Sequence, residues 1–362
     1  MAHAQSMTRR VTIKDLAAAV GVSPSAVSMA LADHPRISAA TREQVRSVAT
    51  ALGYVASSAA RSLKGRRAGS VALVVPNTAR HVFGHAYFMH LLVGVSSIVD
   101  ELGFTVTIST SPDLEHGVAA YERVLRSGAV DGAIITSAAA DDPDLSRMVS
   151  SGLPVVLLGS YPNLSGVSRV SIDDRLASRA ITEHFLTVHG IRSIGYISGP
   201  LAHQSAIDRH AGLTDALAAQ PGSDHLLVEG DYSEESGASA IEQLLANAAD
   251  TGRRLDAVIA ANDEMAYGAM ARLRGQGQHV PTDILVGGFD DFGLARLVTP
   301  SLTTITVPAE DIGARAAAAL LKLMDGQQAD PPHLVLPTRL TVRESCGCLP
   351  KSRSACTPNE EE

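Results

Sequence analysis

Residues 11–31 read VTIKDLAAAVGVSPSAVSMAL. Thr12 followed three residues later by Asp15 is a capping-box pattern, one side chain reaching forward and the other back to free helix N–H groups. Ile13, Leu16, Ala17 and Val20 then recur at the spacing of one helical face. Gly21 ends the helix, because only glycine adopts the left-handed cap without steric cost. Ser23 caps a second helix, and Pro24 takes its first position, where no N–H is needed. Val27, Ala30 and Leu31 form the inward face of that helix, leaving Ser25, Ser28 and Met29 outward. Two short helices joined by a tight glycine-containing turn make a helix-turn-helix, and the second is of a size to enter the DNA major groove.

Working outward, Ser38 caps a third helix with Val45, Val48, Ala49 and Leu52 on its apolar face, Arg42 and Arg46 on its polar side, and Gly53 as its stop. The segment from Tyr54 to Leu63, followed by Lys64-Gly-Arg-Arg67, is helix-competent but too short to be stable alone. Charge follows the same division. Residues 1–67 hold ten Lys or Arg against three Asp or Glu, whereas the remainder holds 20 against 35. A basic head on an acidic body is the electrostatic footprint of a nucleic-acid-binding module joined to a second domain.

From Ser70 onward, short apolar runs alternate with amphipathic segments. The strand candidates are Val71–Val75, Phe104–Ile108, Gly132–Thr136, Val155–Leu158, Ile194–Ser198, Leu226–Val228, Ala257–Ala260 and Ile284–Gly287. This rhythm predicts doubly wound parallel sheets. Two lobes accommodate so many strands better than one sheet, with a switch near Val170–Asp173. Ligands of open α/β sheets bind beyond the carboxyl ends of strands. That rule selects Asn77 and the loop from Phe83 to Phe88, Gly159-Ser-Tyr161, Asp173, Asn262-Asp263 and Asp290-Asp291. Carboxylates, amides, an arginine and aromatic faces suit a polyhydroxylated ligand. For Asp290 and Asp263 a turn or capping role is the competing reading, and Asp173 is equally well placed to cap a helix. His81, His85 and His90 are further cleft candidates.

Head, hinge and body together resemble the LacI family of bacterial repressors. The resemblance rests on "VTIKDLAAAVGVSPSAVSMAL", "RISAATREQVRSVATALGY" and "SSAARSLKGRR" in the head. In the body it rests on "AVDGAIIT", "LPVVLLG", "RHAGLTDAL", "VIAANDEMAYGAM", "LVGGFDD" and "SLTTITV". It runs in order from Val11 to about Ser345. It implies a helix-turn-helix head with a hinge helix, then two periplasmic-binding-protein-like lobes. The expected boundaries are an extension at 1–10, head at 11–55, hinge and linker at 56–69, effector and dimerisation domain at 70–345, and a polar tail at 346–362. The first lobe is expected to take about 70–172 and about 303–333. The implied DNA-binding residues are Thr12, Ser23, Pro24, Ser25, Ser28, Met29, Ser58 and Leu63, the last as a minor-groove wedge; an ordinary linker leucine is the other reading of Leu63. The implied effector contacts are Asn77, Phe88, Asp173, Arg209, Asn262 and Asp290. The implied partners are a palindromic double-stranded operator, a sugar or sugar derivative as effector, and a second copy of the chain.

Two departures qualify that picture. Met29 stands where the family often places a long polar side chain and offers no hydrogen bond to a base edge. Gly159 stands where many relatives place an effector-contacting Asp or Arg, and the chain has no Trp to stack on a sugar. Other classes fit less well. No apolar run reaches the roughly 20 residues of a membrane span, and the first ten residues do not read as a signal peptide, so a cytoplasmic location is expected. A solute-binding transport protein would share the body but not the head. A nucleotide-binding enzyme sharing that fold would carry a phosphate loop, and none follows any strand, so no enzyme activity or cofactor is expected. Cys346, Cys348 and Cys356 sit in the last 17 residues and read as free thiols on a loose tail. No second Cys pair or His lies near them in sequence, so no metal site is expected.

Overall fold

The structure is a computed structural model that describes residues 11–31, 33–54, 67–112 and 117–348. The expected contacts Ser58 and Leu63, most of the hinge, and Cys356 lie outside the described residues. The chain divides into two compact units at Ala68/Gly69.

The first unit holds α1 (Ile13–Val20), α2 (Pro24–Ala30) and α3 (Ala39–Ala51). Its ends follow local chemistry. The backbone N–H of Thr12 donates to Asp15 Oδ2 at 2.7 Å, and the capping box is complete in both directions. Gly21 adopts the left-handed conformation with φ 77°. Ser23 Oγ accepts from Ala26 N at 3.1 Å and Ser38 Oγ from Thr41 N at 3.2 Å. Leu16, Ala17, Val27, Ala30, Val45 and Ala49 form the core between the helices. Leu52, expected on that apolar face, is instead 42% exposed, because the helix has already reached its C-cap there.

The second unit contains two six-stranded sheets. The first has the order β11-β5-β4-β3-β1-β2 and is parallel throughout. It is built from β1 (Ser70–Thr78), β2 (Thr105–Ser111), β3 (Gly132–Ile135), β4 (Val155–Leu158), β5 (Ser168–Ile172) and β11 (His333–Leu336). The second has the order β12-β10-β9-β8-β6-β7, with β12 antiparallel to β10 and the rest parallel. Its strands are β6 (Ser193–Ser198), β7 (Asp224–Glu229), β8 (Ala257–Ala260), β9 (Leu285–Asp290), β10 (Thr303–Thr306) and β12 (Arg339–Thr341).

Around the first sheet lie α4 (Ala79–Gly84), α5 (Ala86–Val99), α6 (Val118–Ser127), α7 (Pro143–Val149) and α12 (Ala309–Met324). Around the second lie α8 (Asp174–Val188), α9 (Gln204–Ala218), α10 (Glu234–Asp250) and α11 (Asp263–Gly275). The chain crosses between lobes after β5, after β10 and after β11. The expected placement of Thr303 in the first lobe is corrected by this topology. Thr304 pairs with Gly288 of β9, so β10 belongs to the second sheet and the return crossing comes at α12. A four-residue run of three Thr and one Ile carries no mark of which sheet it joins.

The polar tail expected from residue 346 is also corrected at its start. Ser345 Oγ donates to the Val286 carbonyl at 2.6 Å and accepts from Thr303 N at 2.8 Å. Those bonds tie the Glu344–Cys346 turn to the second sheet and bury Cys346 completely. Cys348 follows and lies against His184 and His189. These two thiols therefore do not sit on a loose tail, and histidines distant in sequence are close to them in space.

Candidate effector cleft and nucleic-acid interface

Most of the residues predicted for the cleft lie at or just beyond the carboxyl ends of strands, where helix N-termini also point. Asp290 ends β9 with φ 120° and is 7% exposed. A positive φ at a non-glycine residue stores strain and needs a surrounding scaffold. Asp263, the first residue of α11, supplies it. Its carboxylate accepts from Thr304 Oγ1 at 2.6 Å and from Asp291 N at 2.8 Å. Gly288 is required for this arrangement, since a Cβ there would come within 2.2 Å of Asp263 Oδ1. Burial pushes the Asp263 carboxyl up to about 8. The neighbouring Asp291 turns the other way and is held by Thr306 Oγ1 at 2.7 Å and Arg343 at 2.6 Å.

Arg209 comes from α9, which packs closely on α8 because Gly212 has no side chain; a Cβ there would meet the Arg175 carbonyl at 2.1 Å. The guanidinium donates from Nε to Asp174 Oδ1 at 2.7 Å and from Nη1 to the Ala261 carbonyl at 2.5 Å. Its Cζ lies 3.7 Å from the centre of the Phe289 ring, within cation–π range. Burial alone would lower the Arg209 pKa, but Asp174 and Asp290 outweigh it and hold the guanidinium charged. Burial raises both carboxyls, that of Asp290 well above its ordinary value, with Arg209 opposing the shift in each case.

The first-lobe wall is different in kind. Asn77 is buried at the end of β1 and accepts from Thr78 N at 2.7 Å. His81 and His85 stand with ring centres 4.3 Å apart, and Phe88 lies edge-on to both. Tyr87 packs against Phe88 on one side and Phe292 of the second lobe on the other. Burial, followed by repulsion from His85 and His203, lowers the His81 pKa to about 4. His85 Nδ1 and Ser198 Oγ are buried without a hydrogen-bond partner. The lobes meet here through Ala86 N, which donates to Glu264 Oε1 at 3.3 Å, and Ala140 N, which donates to the Ala202 carbonyl at 2.9 Å.

Arg209 and Asp290 thus converge, whereas Asn77 is held locally by Thr78 N and Phe88 is 3% exposed, packed into the core of the first lobe. Asp173 and Asn262 are placed otherwise. Asp173 is exposed and caps α8, accepting from Leu176 N at 2.8 Å. Asn262 caps α11, and its amide nitrogen donates to the Tyr232 carbonyl at 2.9 Å and Glu264 Oε2 at 2.8 Å. The cleft carboxylate beside Asp173 is Asp174, which sequence reasoning missed together with Glu264, His203 and Asp231. A signal for Asp174 was present. It shares a helical face with Ala177, Ser178, Ile181 and Phe185, all buried, so the pattern sets Asp174 inward and Asp173 outside.

In the head, Ser23 and Pro24 start α2 and Ser25 is exposed, while Ser28 and Met29 are half-buried. Thr12 is committed to its capping box. Arg46 and Arg42 both turn toward Asp33, Arg42 at 3.7 Å.

A helix-turn-helix unit joined to a two-lobed α/β body is the architecture of a DNA-binding regulator. Residues 12–57 match the bacterial regulatory proteins of the lacI family, and residues 182–346 match a periplasmic binding protein-like domain. The chain is 35% identical over 345 residues to the HTH-type transcriptional regulator CelR of Thermobifida fusca, covering 93% of this chain and 98% of that protein. Among solved structures, a CelR–cellobiose complex is similar with TM-score 0.69 and 33% identity, covering 93% of this chain and all of that one. A lac repressor dimer bound to operator and the anti-inducer ONPF is similar with TM-score 0.76 and 27% identity, covering 93% and 99%. The chain belongs to the LacI family: it is a sequence-specific DNA-binding transcriptional regulator, not an enzyme. Among the described residues no helix is long and apolar enough to cross a membrane.

Proposed function

We propose that the chain is a repressor that binds a palindromic operator as a homodimer and answers to a neutral oligosaccharide. The observation that carries the effector reading is the Arg209 guanidinium set between Asp174, Asp290 and the Phe289 face. Guanidinium and carboxylate can hold adjacent hydroxyls while a ring covers the apolar side of a sugar. Among the described residues, the carboxyl groups of Asp290, Asp174, Asp231 and Glu264 outnumber the Arg209 guanidinium in the cleft, which disfavours a phosphorylated ligand. The cellobiose bound by the similar CelR structure points the same way. Asp290, Arg209, Asn77 and Phe88 act as effector contacts; Asp173 and Asn262 shape the helix ends around them.

The dimer reading rests on exposed apolar side chains of the first lobe. Met89 and Val93 lie one turn apart on α5, with Phe83 on the preceding helix. Such a face is typical of a contact with a second copy. Operator reading falls to α2, with Ser25 and Ser28 as polar contacts and Met29 as an apolar one, and to the hinge, where Leu63 acts as the wedge with Ser58 on the backbone.

The test is a thermal-shift screen of the full chain against cellobiose, other neutral disaccharides, their monosaccharides and sugar phosphates. A binding ligand at 100 times its Kd stabilises the fold by about 2.7 kcal/mol. A shift with neutral disaccharides and none with sugar phosphates is expected; the reverse pattern refutes the reading. Leu63→Ala should weaken operator binding far more than non-specific binding, measured by fluorescence anisotropy, and equal losses would remove the wedge.

A further inference from the structure

Helix α8 starts at the cleft with Asp174 and ends at Val188, with His189 as its C-cap. At that far end, about 15 Å along the helix from Asp174 to His184, two imidazoles face each other. The Nε2 atoms of His184 and His189 are 3.3 Å apart. The chain leaving β12 returns to the same spot. Cys348 Sγ lies 3.5 Å from His189 Nε2 and 3.8 Å from His184 Nε2. Cys346, fully buried, completes the group, and all four ligand atoms lie within 4.8 Å of one another.

We propose that His184, His189, Cys346 and Cys348 form a structural zinc site that fastens the end of the effector domain to α8. Three of the four donors stand at tetrahedral spacing, and Cys346 Sγ, 3.3 Å from the Arg343 carbonyl, lies within 4.8 Å of all of them. Bonds of about 2.0–2.1 Å to nitrogen and 2.3 Å to sulfur place neighbouring ligand atoms about 3.3–3.8 Å apart, the range of the three separations above. Two thiolates and two imidazoles select zinc over magnesium or calcium, which prefer oxygen. The donor set is already four, so no open position remains for a substrate, and the site is structural rather than catalytic. Cys346 and Cys348 need not be sequence neighbours of the histidines, because the Ser345 bonds to β9 and β10 deliver them there. Binding energy of the metal becomes folding energy of this corner, which holds the helix whose opposite end sets Asp174 beside Arg209.

The experiment uses the full chain purified under reducing conditions without added metal. Mass spectrometry of the metal content should find one zinc per chain in the wild type and in Cys356→Ser, and far less in Cys348→Ser and His184→Gln. Cobalt(II) replacement should give the intense visible bands of a tetrahedral thiolate site, with the sulfur charge-transfer band reduced in Cys348→Ser. Chelation should lower Tm in the wild type and leave the variants unchanged. Circular dichroism and operator binding check that the variants fold; if they do not, the cobalt spectrum and metal content of the wild type decide. A wild type without stoichiometric metal, an octahedral cobalt spectrum, or unchanged metal content in a folded Cys348→Ser overturns the proposal.

Discussion

The two walls of the cleft are made of different materials. The second-lobe wall is a buried charge network, in which Arg209 is shared between Asp174, Asp290 and the Ala261 carbonyl, and Asp263 holds the strained Asp290-Asp291 turn. The first-lobe wall is aromatic and imidazole, with His81, His85 and Phe88 in mutual ring contact and Tyr87 against Phe88. A charge network fixes directions, because each hydrogen bond has a geometry and a broken partner is costly. An aromatic surface fixes shape and excludes water but tolerates sliding. Under the proposed function, recognition of individual hydroxyls falls to the second lobe, while the first supplies shape and the imidazoles that titrate in acid.

The largest effect should come from breaking the second wall. Arg209→Ala leaves two buried carboxylates without their cation and should destabilise the body by about 3–5 kcal/mol at neutral pH. Effector affinity should fall by on the order of 100-fold, about 3 kcal/mol. Denaturant unfolding and calorimetric titration measure the two losses separately. The stability loss should shrink at acid pH, where Asp174 and Asp290, both raised by burial, take up protons and no longer need a counter-charge. A loss that is the same at every pH would mean that Arg209 acts through packing on Phe289 instead.

The first wall should respond to protons. The His81 pKa is lowered by burial to about 4 from an ordinary 6.5, so the folded protein keeps this imidazole neutral while the unfolded chain takes up a proton. Between those values His81 binds more protons in the unfolded state, so its contribution to stability falls as pH decreases through 6.5 and levels off below about 4, against the opposite contribution of the raised carboxyls of Asp263, Asp290 and Asp174. The full shift is an upper bound, since the ring is partly open to solvent; about 2 kcal/mol is the expected loss. His85 and His203, also lowered by burial, add to it, whereas Asp231 and Glu264 face the imidazoles and oppose it. His81→Asn should flatten the wild-type Tm profile between pH 6.5 and 4. An unaltered profile would place the acid sensitivity elsewhere.

Much of this molecule announces itself locally. The ends of α1, α2 and α3 lie within three residues of the side chains that cap them, so Thr12, Ser23 and Ser38 can be read without tertiary knowledge. The buried strands β3, β4 and β8 are equally plain, being short apolar runs between helices. What escapes reading depends on distant partners. Nothing in Thr303–Thr306 tells which sheet will accept it. Nothing near Cys346 or Cys348 in sequence points to His184 and His189, more than 150 residues earlier. The cleft falls between these limits. Strand ends locate its loops, but whether a polar residue faces the ligand or ties down a helix depends on hydrogen bonds that only the fold brings together, as with Asn262 and Tyr232.

Asp173 and Asp174 test that distinction within a single peptide bond. Asp173 accepts one backbone N–H at the start of α8 and is exposed. Asp173→Ala should therefore cost about 1 kcal/mol, the ordinary worth of an N-cap, and leave effector affinity within a factor of two or so, since water replaces the lost acceptor. Asp174→Ala removes one of two buried counter-charges from Arg209 and should approach the Arg209→Ala loss in both stability and binding. Paired titrations of the two single variants against the same sugar decide the matter. If Asp173→Ala weakens binding as much as Asp174→Ala does, the exposed carboxylate reaches the ligand after all, and the directional work of the cleft extends beyond its buried network.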